Sequence, residues 1–354
     1  MTSNKKILIV QTAFIGDVIL ATPLAEAAQQ VFPESRVDFM VIPDAANILE
    51  GNPFVHRVVI FDKRGRQRGL IALWKLASSL QRERYDLALV PHRSLRSALL
   101  VWLAGIPQRI GFDRSAGAWF FTQRVPYRQI HEVERNLDLL RALNGSINAP
   151  LPKIFWDEAD ERFVDQFCRI GKNKKWFCAL APGSVWATKR WPADRYIDLA
   201  RRLTAEANAQ IYLIGGGGDA ELCARLADKI GDDCVNTAGK LTLRQSAALV
   251  DRCQILVTND SAPTHLAVAT RCKVITIFGP TVPAFGFAPF GHGHAVIEKD
   301  LSCRPCSSHG GHRCPIRTHA CMLEISVEEV FTEVLTLLYA ISHRSQNKTH
   351  EVMK

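Results

Sequence analysis

A glycine and an acid in the segment "QTAFIGDVILATP" (residues 11–23) stand where an apolar strand pattern gives way to a helix pattern. Gly16 would allow a tight turn, and Asp17 follows it directly. A carboxylate at this position can act as a general base toward a bound hydroxyl. The alternative is an acid that only stabilises a helix N-terminus through the helix dipole. This segment alone favours the second interpretation.

A second candidate lies in "APGSVWATKRWP" (residues 181–192). The Gly183–Ser184 turn follows a strand pattern and could present backbone N–H groups to a phosphate, and Lys189 adds a cationic donor. The alternative is an ordinary strand-to-helix loop with exposed charges. The segment "GGGGDAE" (215–221) is a similar turn that ends in Glu221, and by itself it is typical of a flexible loop.

A third candidate is "VTNDSAPTHLAVA" (residues 257–269), in which Asp260 and Ser261 precede a predicted helix. Free N–H groups and the dipole of a helix N-terminus suit an anion such as a diphosphate. Asp260 or Ser261 can equally be an N-cap, and one residue can cap while its neighbours bind phosphate.

Four of the ten cysteines are clustered in "CRPCSSHGGHRCPIRTHAC", at Cys303, Cys306, Cys314 and Cys321, with three histidines between them. Such a group in a reducing compartment favours a structural zinc over disulfides. The spacing is looser than that of a standard zinc ribbon. An iron–sulfur cluster and a set of reduced thiols without metal therefore stay open.

The elements that must position these residues alternate between strand and helix patterns, and this alternation predicts parallel sheets. It restarts near residue 175, after a Gly/Pro/Asn-rich break, so we predict two Rossmann-like domains of an α/β fold. Their predicted bounds are 1–155 and 156–341, the second containing the Cys-rich segment 303–321, and a final helix is expected over 326–340. Residues 342–354 form a polar tail that we expect to be disordered.

Composition and charge narrow the function classes. The apolar fraction of 47% is ordinary for a globular enzyme, and the basic start of the chain precedes too short an apolar run for a secretory signal, which favours a cytoplasmic protein. Residues 1–155 hold 20 Lys+Arg against 13 Asp+Glu, a balance of +7 that suits an anionic partner. A solvated basic face would have the same composition. Basic residues interleaved with aromatics, typical of nucleic-acid binding, are not evident, so we expect no nucleic-acid partner.

Three segments together resemble a known family. "FIGDVILATP", "PGSVWATKRWP" and "NDSAPTHLAVA…IFGPT" are similar, in order and spacing, to the bacterial lipopolysaccharide heptosyltransferases, the ADP-heptose-using members of glycosyltransferase family 9. The resemblance extends over nearly the whole chain. "FGPTVPAFGF" and the Cys-rich segment look closest to the heptosyltransferase II branch. Ser261-Ala262 stands where the first heptosyltransferase of the family often has Thr-Gly.

The resemblance implies a GT-B fold, with two domains facing across a cleft, the acceptor on the first and the ADP-sugar on the second. It implies transfer of heptose from ADP-L-glycero-D-manno-heptose to the inner core of lipopolysaccharide, with inversion and without a metal. Asp17 would be the base and Lys189 would contact the donor diphosphate. The other donor-site residues it implies are Gly183, Ser184, Glu221, Asp260, Ser261, Ala262 and Thr264.

The acceptor, Kdo-lipid A or a heptosylated inner core, carries anionic groups. Candidates for contacting it are Gly16, Arg93, Arg96 and the basic run "KRGRQR" (63–68). An acceptor of this kind implies peripheral contact with the cytoplasmic face of the inner membrane. The alternatives are a family 9 transferase with another acceptor (heptosyltransferase I or III) or donor, a nucleotide-sugar epimerase, and a non-catalytic nucleotide-binding or nucleic-acid-binding module.

Overall fold

The chain forms two compact units, Met1–Phe155 and Trp156–Lys354. The structure, a computed structural model, describes residues 5–168 and 173–352, with Asn144 and residues 344–352 described as backbone only. Each unit contains one six-stranded sheet in which neighbouring strands are parallel.

The sheet of the first unit has the strand order β3-β2-β1-β4-β5-β6. Its strands are β1 Lys6–Val10, β2 Arg36–Val41, β3 Arg57–Ile60, β4 Leu87–Val90, β5 Gln108–Phe112 and β6 Gln123–Val125. Its helices are α1 Ile15–Val31, α2 Leu70–Glu83, α3 Leu95–Leu103 and α4 Glu132–Asn144, with short 3₁₀ helices at Pro43–Leu49 and Ala118–Phe120. Every residue of β4 is buried, as is expected of a strand covered on both faces.

The sheet of the second unit has the order β12-β11-β10-β7-β8-β9. Its strands are β7 Trp176–Ala181, β8 Ala209–Leu213, β9 Cys234–Asn236, β10 Ile255–Asn259, β11 Lys273–Phe278 and β12 Ala295–Glu298. Its helices are α5 Glu158–Cys168, α6 Ala193–Ala207, α7 Ala220–Ile230, α8 Leu243–Arg252, α9 Ala262–Val268, α10 Ala320–Leu323 and α11 Val327–Val352, with 3₁₀ helices at Ala187–Lys189, Gly217–Asp219 and Pro283–Phe285.

Both sheets follow the same Rossmann order, 3-2-1-4-5-6 when strands are counted within each unit, so the two Rossmann-like domains expected from the sequence are confirmed. In such a sheet the chain leaves the first and fourth strands in opposite directions. The resulting crevice lies at the carboxyl ends of β1 and β4 in one unit, and of β7 and β10 in the other. Ligands of this fold bind in that crevice.

The last helix of the chain is longer than the sequence pattern predicts. Helix α11 continues to Val352, well beyond the predicted end at residue 340, so residues 342–352 are helical and the expected disordered tail is wrong for them. Residues 353 and 354 lie outside the described residues.

Among the helices that the structure describes, none has both the length and the apolar character needed to cross a bilayer.

Candidate active site

Asp17 lies in the first helical turn after β1, at the crevice of the first sheet. It is the third residue of α1, and its Oδ2 accepts a hydrogen bond from the backbone N–H of Phe14, 3.3 Å away. The carboxylate therefore does cap the helix. Its side chain is nevertheless only partly buried, in a position that a ligand at the carboxyl end of β1 can reach. The two sequence interpretations of this acid are compatible in the structure.

Burial raises the pKa of Asp17 from 3.8 to about 6. The hydrogen bonds from the backbone of Phe14 and of Asp17 itself, and the positive charges of Arg93 and Lys63, act in the opposite direction and are outweighed. A carboxyl group with a pKa of about 6 is mostly ionised at neutral pH and is a stronger base than an ordinary aspartate. This is the protonation behaviour that a general base requires.

Cations and a neutral histidine surround Asp17 at the same edge of the sheet. Lys63 donates from Nζ to the carbonyl oxygen of Thr12 over 2.5 Å, and the Arg93 guanidinium lies 4.2 Å from the ring centroid of Tyr127. His92 follows β4, and its Nδ1 is 2.9 Å from the Thr12 hydroxyl. Burial, with Lys63 and Arg93 nearby, lowers the pKa of His92 to about 3, so the ring is uncharged. The crevice is thus positively charged around one carboxylate.

A buried ion pair on α4 faces the same region, and the sequence analysis did not identify it. Arg135 contacts the Glu132 carboxylate, and its Nη1 donates to the Tyr127 hydroxyl over 2.7 Å. Burial, together with the charge of Asp17, raises the pKa of Glu132 to about 7, although the charges of Arg135 and Arg93 act in the opposite direction. Asn136 ties α4 to α1 by donating to the Leu20 carbonyl over 3.2 Å. In the sequence, the amphipathic run "HEVERNLDLLRALN" is the pattern that indicates helix α4 and so could have placed this pair.

The three predicted acceptor residues have different surroundings. Gly16 is buried in the first turn of α1, and Arg93 is exposed beside Asp17. Arg96 instead donates to backbone carbonyl oxygens of Lys63, Gln67 and Gly69 at 3.1–3.4 Å. Its guanidinium is therefore engaged by the 63–69 loop, and its contact with an acceptor stays a prediction.

In the second unit, Lys189 and Asp260 come together at the crevice between β7 and β10. Lys189 Nζ donates to Asp260 Oδ2 over 2.5 Å, and the Thr281 hydroxyl donates to the same oxygen over 2.6 Å. All three residues are buried. An ammonium group has three N–H donors, and a bond to Asp260 leaves others for a ligand oxygen. Thr281 belongs to the segment "IFGPT", but nothing in the sequence pattern indicates its role.

Asn259, the last residue of β10, holds the loop of the Gly183–Ser184 turn in place. Its amide nitrogen donates to the carbonyl oxygens of Pro182 at 2.9 Å and Gly183 at 3.3 Å, and its Oδ1 accepts from the backbone N–H of Trp191 at 2.9 Å. These hydrogen bonds join the end of β10 to both ends of the 182–191 loop. They therefore fix the position of the segment that carries Lys189.

Gly183 lies so close to Asp219 that a side chain in its place would require the Asp219 carboxylate to move. A Cβ at this position would stand 2.1 Å from Asp219 Oδ1. The Asp219 carboxylate also accepts from the backbone N–H of Gly216 over 3.0 Å, and so connects the glycine-rich turn after β8 to the turn after β7. Ser184 is buried, and its hydroxyl accepts from the backbone N–H of Trp186 over 3.3 Å.

The remaining predicted donor-site residues are not all exposed to a ligand. Ser261 and Ala262 begin α9 and are partly exposed. Thr264 is fully buried, and its hydroxyl bonds to the Asn259 carbonyl at 3.3 Å and the Thr276 hydroxyl at 3.1 Å. A ligand cannot reach this side chain, so we correct its role to internal support of the helix start. Glu221 is exposed on α7 and pairs with Arg225, rather than joining the Lys189 cluster.

The Cys-rich segment packs against the short helix that carries Lys189. Thr188 donates from its backbone N–H to the Gly311 carbonyl over 3.0 Å, and its hydroxyl accepts from the Gly311 N–H over 2.8 Å. His319 Nε2 lies 2.8 Å from the Thr188 carbonyl. A Cβ at Gly310 would lie 3.1 Å from Lys189 Cγ. The segment therefore supports the position of Lys189.

The four clustered cysteines are free thiols, and three of them, Cys306, Cys314 and Cys321, line one small cavity. Within the described part of the chain, however, no three Cys, His, Asp or Glu side chains are arranged to hold a metal ion. Cys306 Sγ instead donates to the Cys303 carbonyl over 3.1 Å. The metal site at Cys303, Cys306, Cys314 and Cys321 therefore stays a prediction.

Comparison with known proteins adds an independent observation. Residues 73–313 match the family described as Glycosyltransferase family 9 (heptosyltransferase). Lipopolysaccharide heptosyltransferase 2 of Escherichia coli K12 is 27% identical over 83% of this chain and 88% of its own. Lipopolysaccharide heptosyltransferase 1 of Pseudomonas aeruginosa is also 27% identical, over 85% of this chain and 86% of its own.

The fold is shared with a solved member of that family. The structure of E. coli ADP-heptose lps heptosyltransferase II superposes with a TM-score of 0.78 at 25% identity, covering 95% of this chain and 99% of its own. The GT-B fold expected from the sequence is confirmed by this likeness together with the two Rossmann-like sheets.

Proposed function

The chain belongs to glycosyltransferase family 9, and from this premise we propose that it transfers heptose from ADP-L-glycero-D-manno-heptose to the inner core of lipopolysaccharide. The observation that carries the proposal is the division of charge between the two sheets. One crevice holds a carboxylate with a raised pKa among cations, and the other holds a buried lysine beside a helix start. These are the groups that deprotonating an acceptor and releasing a nucleoside diphosphate require.

On the acceptor side, Asp17 takes the proton of the attacking hydroxyl as the new glycosidic bond forms. Direct attack by that hydroxyl breaks the bond to the ADP oxygen from the opposite face, which inverts the anomeric carbon. Arg93, exposed beside Asp17, attracts the anionic inner core. His92 is neutral and bonded to Thr12, so it shapes the crevice without competing as a charged group.

On the donor side, Lys189 neutralises the charge that develops on the leaving diphosphate. Asp260 holds the lysine in place by a short hydrogen bond, and the Thr281 hydroxyl donates to the same Asp260 oxygen. The Gly183–Ser184 turn and the backbone at Ser261 and Ala262 are proposed to supply further donors. Because a fixed ammonium and backbone N–H groups supply positive charge, we propose that the reaction needs no metal ion. Glu221 is kept as a candidate contact for the nucleotide ribose or the heptose.

The heptosyltransferase II type of acceptor is the finer part of the proposal. It is supported by "FGPTVPAFGF" and the Cys-rich segment, which look closest to that branch. Because type 1, type 2 and type 3 relatives are 26–27% identical to this chain, heptosyltransferases I and III are the named alternatives. A type II enzyme extends an acceptor that already carries one heptose, whereas a type I enzyme extends Kdo-lipid A directly. Either acceptor is a membrane lipid, so we propose peripheral contact with the cytoplasmic face of the inner membrane.

The test is a transfer assay with ADP-heptose and two defined acceptors, Kdo-lipid A and its monoheptosylated form, with and without EDTA. We expect ADP release and a gain of one heptose in product mass with the monoheptosylated acceptor, unaffected by EDTA. NMR of the product reports the anomeric configuration. Transfer only to Kdo-lipid A would assign the type I reaction. ADP release without any product, or no turnover with either acceptor, would refute the proposed function.

A further inference from the structure

Helix α2 begins with large apolar side chains that point into solvent. Leu70, Ile71 and Trp74 are 79%, 75% and 63% exposed, respectively. The opposite side of the same helix, which includes Leu73 and Leu80, is buried in the core of the first unit. The helix is therefore apolar on two sides, and core packing accounts for only one of them. Grouped exposed apolar residues of this size mark an interaction surface.

The segment that carries this group has charged side chains of one sign only. Residues 63–82 contain six Lys and Arg and no Asp or Glu. Arg64, Arg66 and Arg68 are exposed immediately before the helix, and Lys75 and Arg82 are exposed along it. We call Leu70, Ile71, Trp74 and these five cations the α2 surface. A cationic border around aliphatic and indole groups is typical of contact with an anionic membrane.

The loop that carries the three arginines is held in a defined conformation. The Asp62 carboxylate accepts backbone N–H bonds from Gly65 at 2.9 Å and Arg66 at 2.8 Å. Arg96 binds the carbonyl oxygens of Lys63, Gln67 and Gly69 from within. The charges are thus presented on an ordered turn, and docking does not require the loop to fold first.

The loop at residues 63–69 and the start of α2, which carry most of the α2 surface, lie at the same edge of the sheet as Asp17. Helix α2 follows β3 and so begins at the carboxyl end of the parallel sheet, where α1 also begins. Lys63, the first residue of the basic run, reaches the Thr12 carbonyl in the β1–α1 loop. A bilayer against this edge would therefore hold its lipid headgroups near the proposed base.

We propose that the α2 surface docks the first unit onto an anionic lipid bilayer. Leu70, Ile71 and Trp74 insert at the boundary between headgroups and acyl chains, and the five cations contact lipid phosphates. Charge complementarity argues for this occupant over a second copy of the chain, because two such surfaces would repel each other. The inference deepens the proposed function, since it assigns the membrane contact, but its test does not need heptose transfer.

The experiment is co-sedimentation of the full chain with vesicles of phosphatidylcholine alone, or with about a third phosphatidylglycerol. We expect binding to anionic vesicles to exceed binding to neutral ones by about tenfold or more, and to weaken with salt. The variants Leu70→Ser/Ile71→Ser/Trp74→Ser and Arg64→Gln/Arg66→Gln/Arg68→Gln should each lose about tenfold in partitioning. Tyr339→Ser is the matched control, because Tyr339 is 68% exposed on α11 and lies outside the surface.

Several outcomes would overturn the proposal. These are equal binding to neutral and anionic vesicles, unchanged binding of both triple variants, and a wild-type dimer that the apolar variant converts to monomer. Preferential binding to single-stranded DNA would assign the surface to nucleic acid instead. Thermal melts check that each variant folds, and Trp74→Ser alone serves if a triple variant does not. Because vesicle binding is measured without donor or acceptor, failed heptose transfer would leave this result intact.

Discussion

Replacing Asp17 by Asn should stabilise the protein while removing its activity. Burial raises the pKa of Asp17 from 3.8 to about 6, so the ionised carboxylate is less stable in the folded state than in the unfolded chain. Below pH 3.8 the raised pKa does not change the free energy of unfolding, because the carboxyl group is protonated in both the folded and the unfolded state. The destabilisation grows as the pH rises and is complete above about pH 6. Asn avoids it and can still accept the bond from the Phe14 N–H.

The size of the effect follows from the pKa shift. Each pKa unit corresponds to about 1.4 kcal/mol, so a shift of about two units sets an upper limit near 3 kcal/mol. Asp17 is partly exposed, and solvent screening reduces the expected gain to about 1–2 kcal/mol at pH 8. For a unit of this size that is a rise in Tm of roughly 2–8 °C. At pH 5 the gain should be about half as large.

The assay is thermal or urea unfolding of wild type and Asp17→Asn at pH 5, 6, 7 and 8, with transfer measured on the same samples. We expect kcat to fall by about 10²- to 10⁴-fold, as for loss of a general base, with ADP binding unchanged. The reasoning would be refuted if Asn destabilised the protein at pH 8, or if the difference did not change with pH. Wild-type turnover by the variant would end the proposed role of Asp17 as base.

Three further predictions concern the surrounding residues. Lys189→Met leaves the buried Asp260 without its cation and should lower the free energy of unfolding by about 3–5 kcal/mol. Adding Asp260→Asn should recover at least half of this loss, measured by urea unfolding, without restoring transfer. The absence of any recovery would contradict the pairing. Glu132→Gln should leave the acid limb of the kcat/KM profile nearly in place, because Glu132, with a pKa of about 7, is mostly protonated in the pH range where Asp17 titrates. Glu134→Gln, whose partner is Arg141, is the matched control, and a shift of about one pH unit in the Glu132 variant alone would contradict this. If the clustered cysteines bind zinc, elemental analysis should find about one equivalent of zinc per chain, and Cys306→Ser should remove it. Less than about 0.2 equivalents of metal in the wild-type protein would contradict the metal prediction.

The sequence by itself determined the two Rossmann-like domains and the positions of the candidate residues along the chain. Strand and helix patterns are local, because burial on both faces makes a parallel strand uniformly apolar and an amphipathic helix repeats every 3.6 residues. A polar residue that follows such a strand must lie at the carboxyl edge of the sheet. Asp17, Lys189 and Asp260 were identified on this basis, together with the family resemblance.

Only the tertiary structure decided which way each side chain points and what it meets. Arg96 and Arg93 are both arginines close together in the sequence, but Arg96 donates to a loop carbonyl oxygen at residue 69. Thr264 lies near the start of its helix but is fully buried. The spacing of the cysteines predicts a metal site, but among the residues that the structure describes no three such side chains stand together to hold an ion. The exposure of Trp74 is likewise invisible to a periodicity argument, which assigns an apolar residue to the core. These outcomes depend on partners distant in the chain, and local spacing contains no information about them.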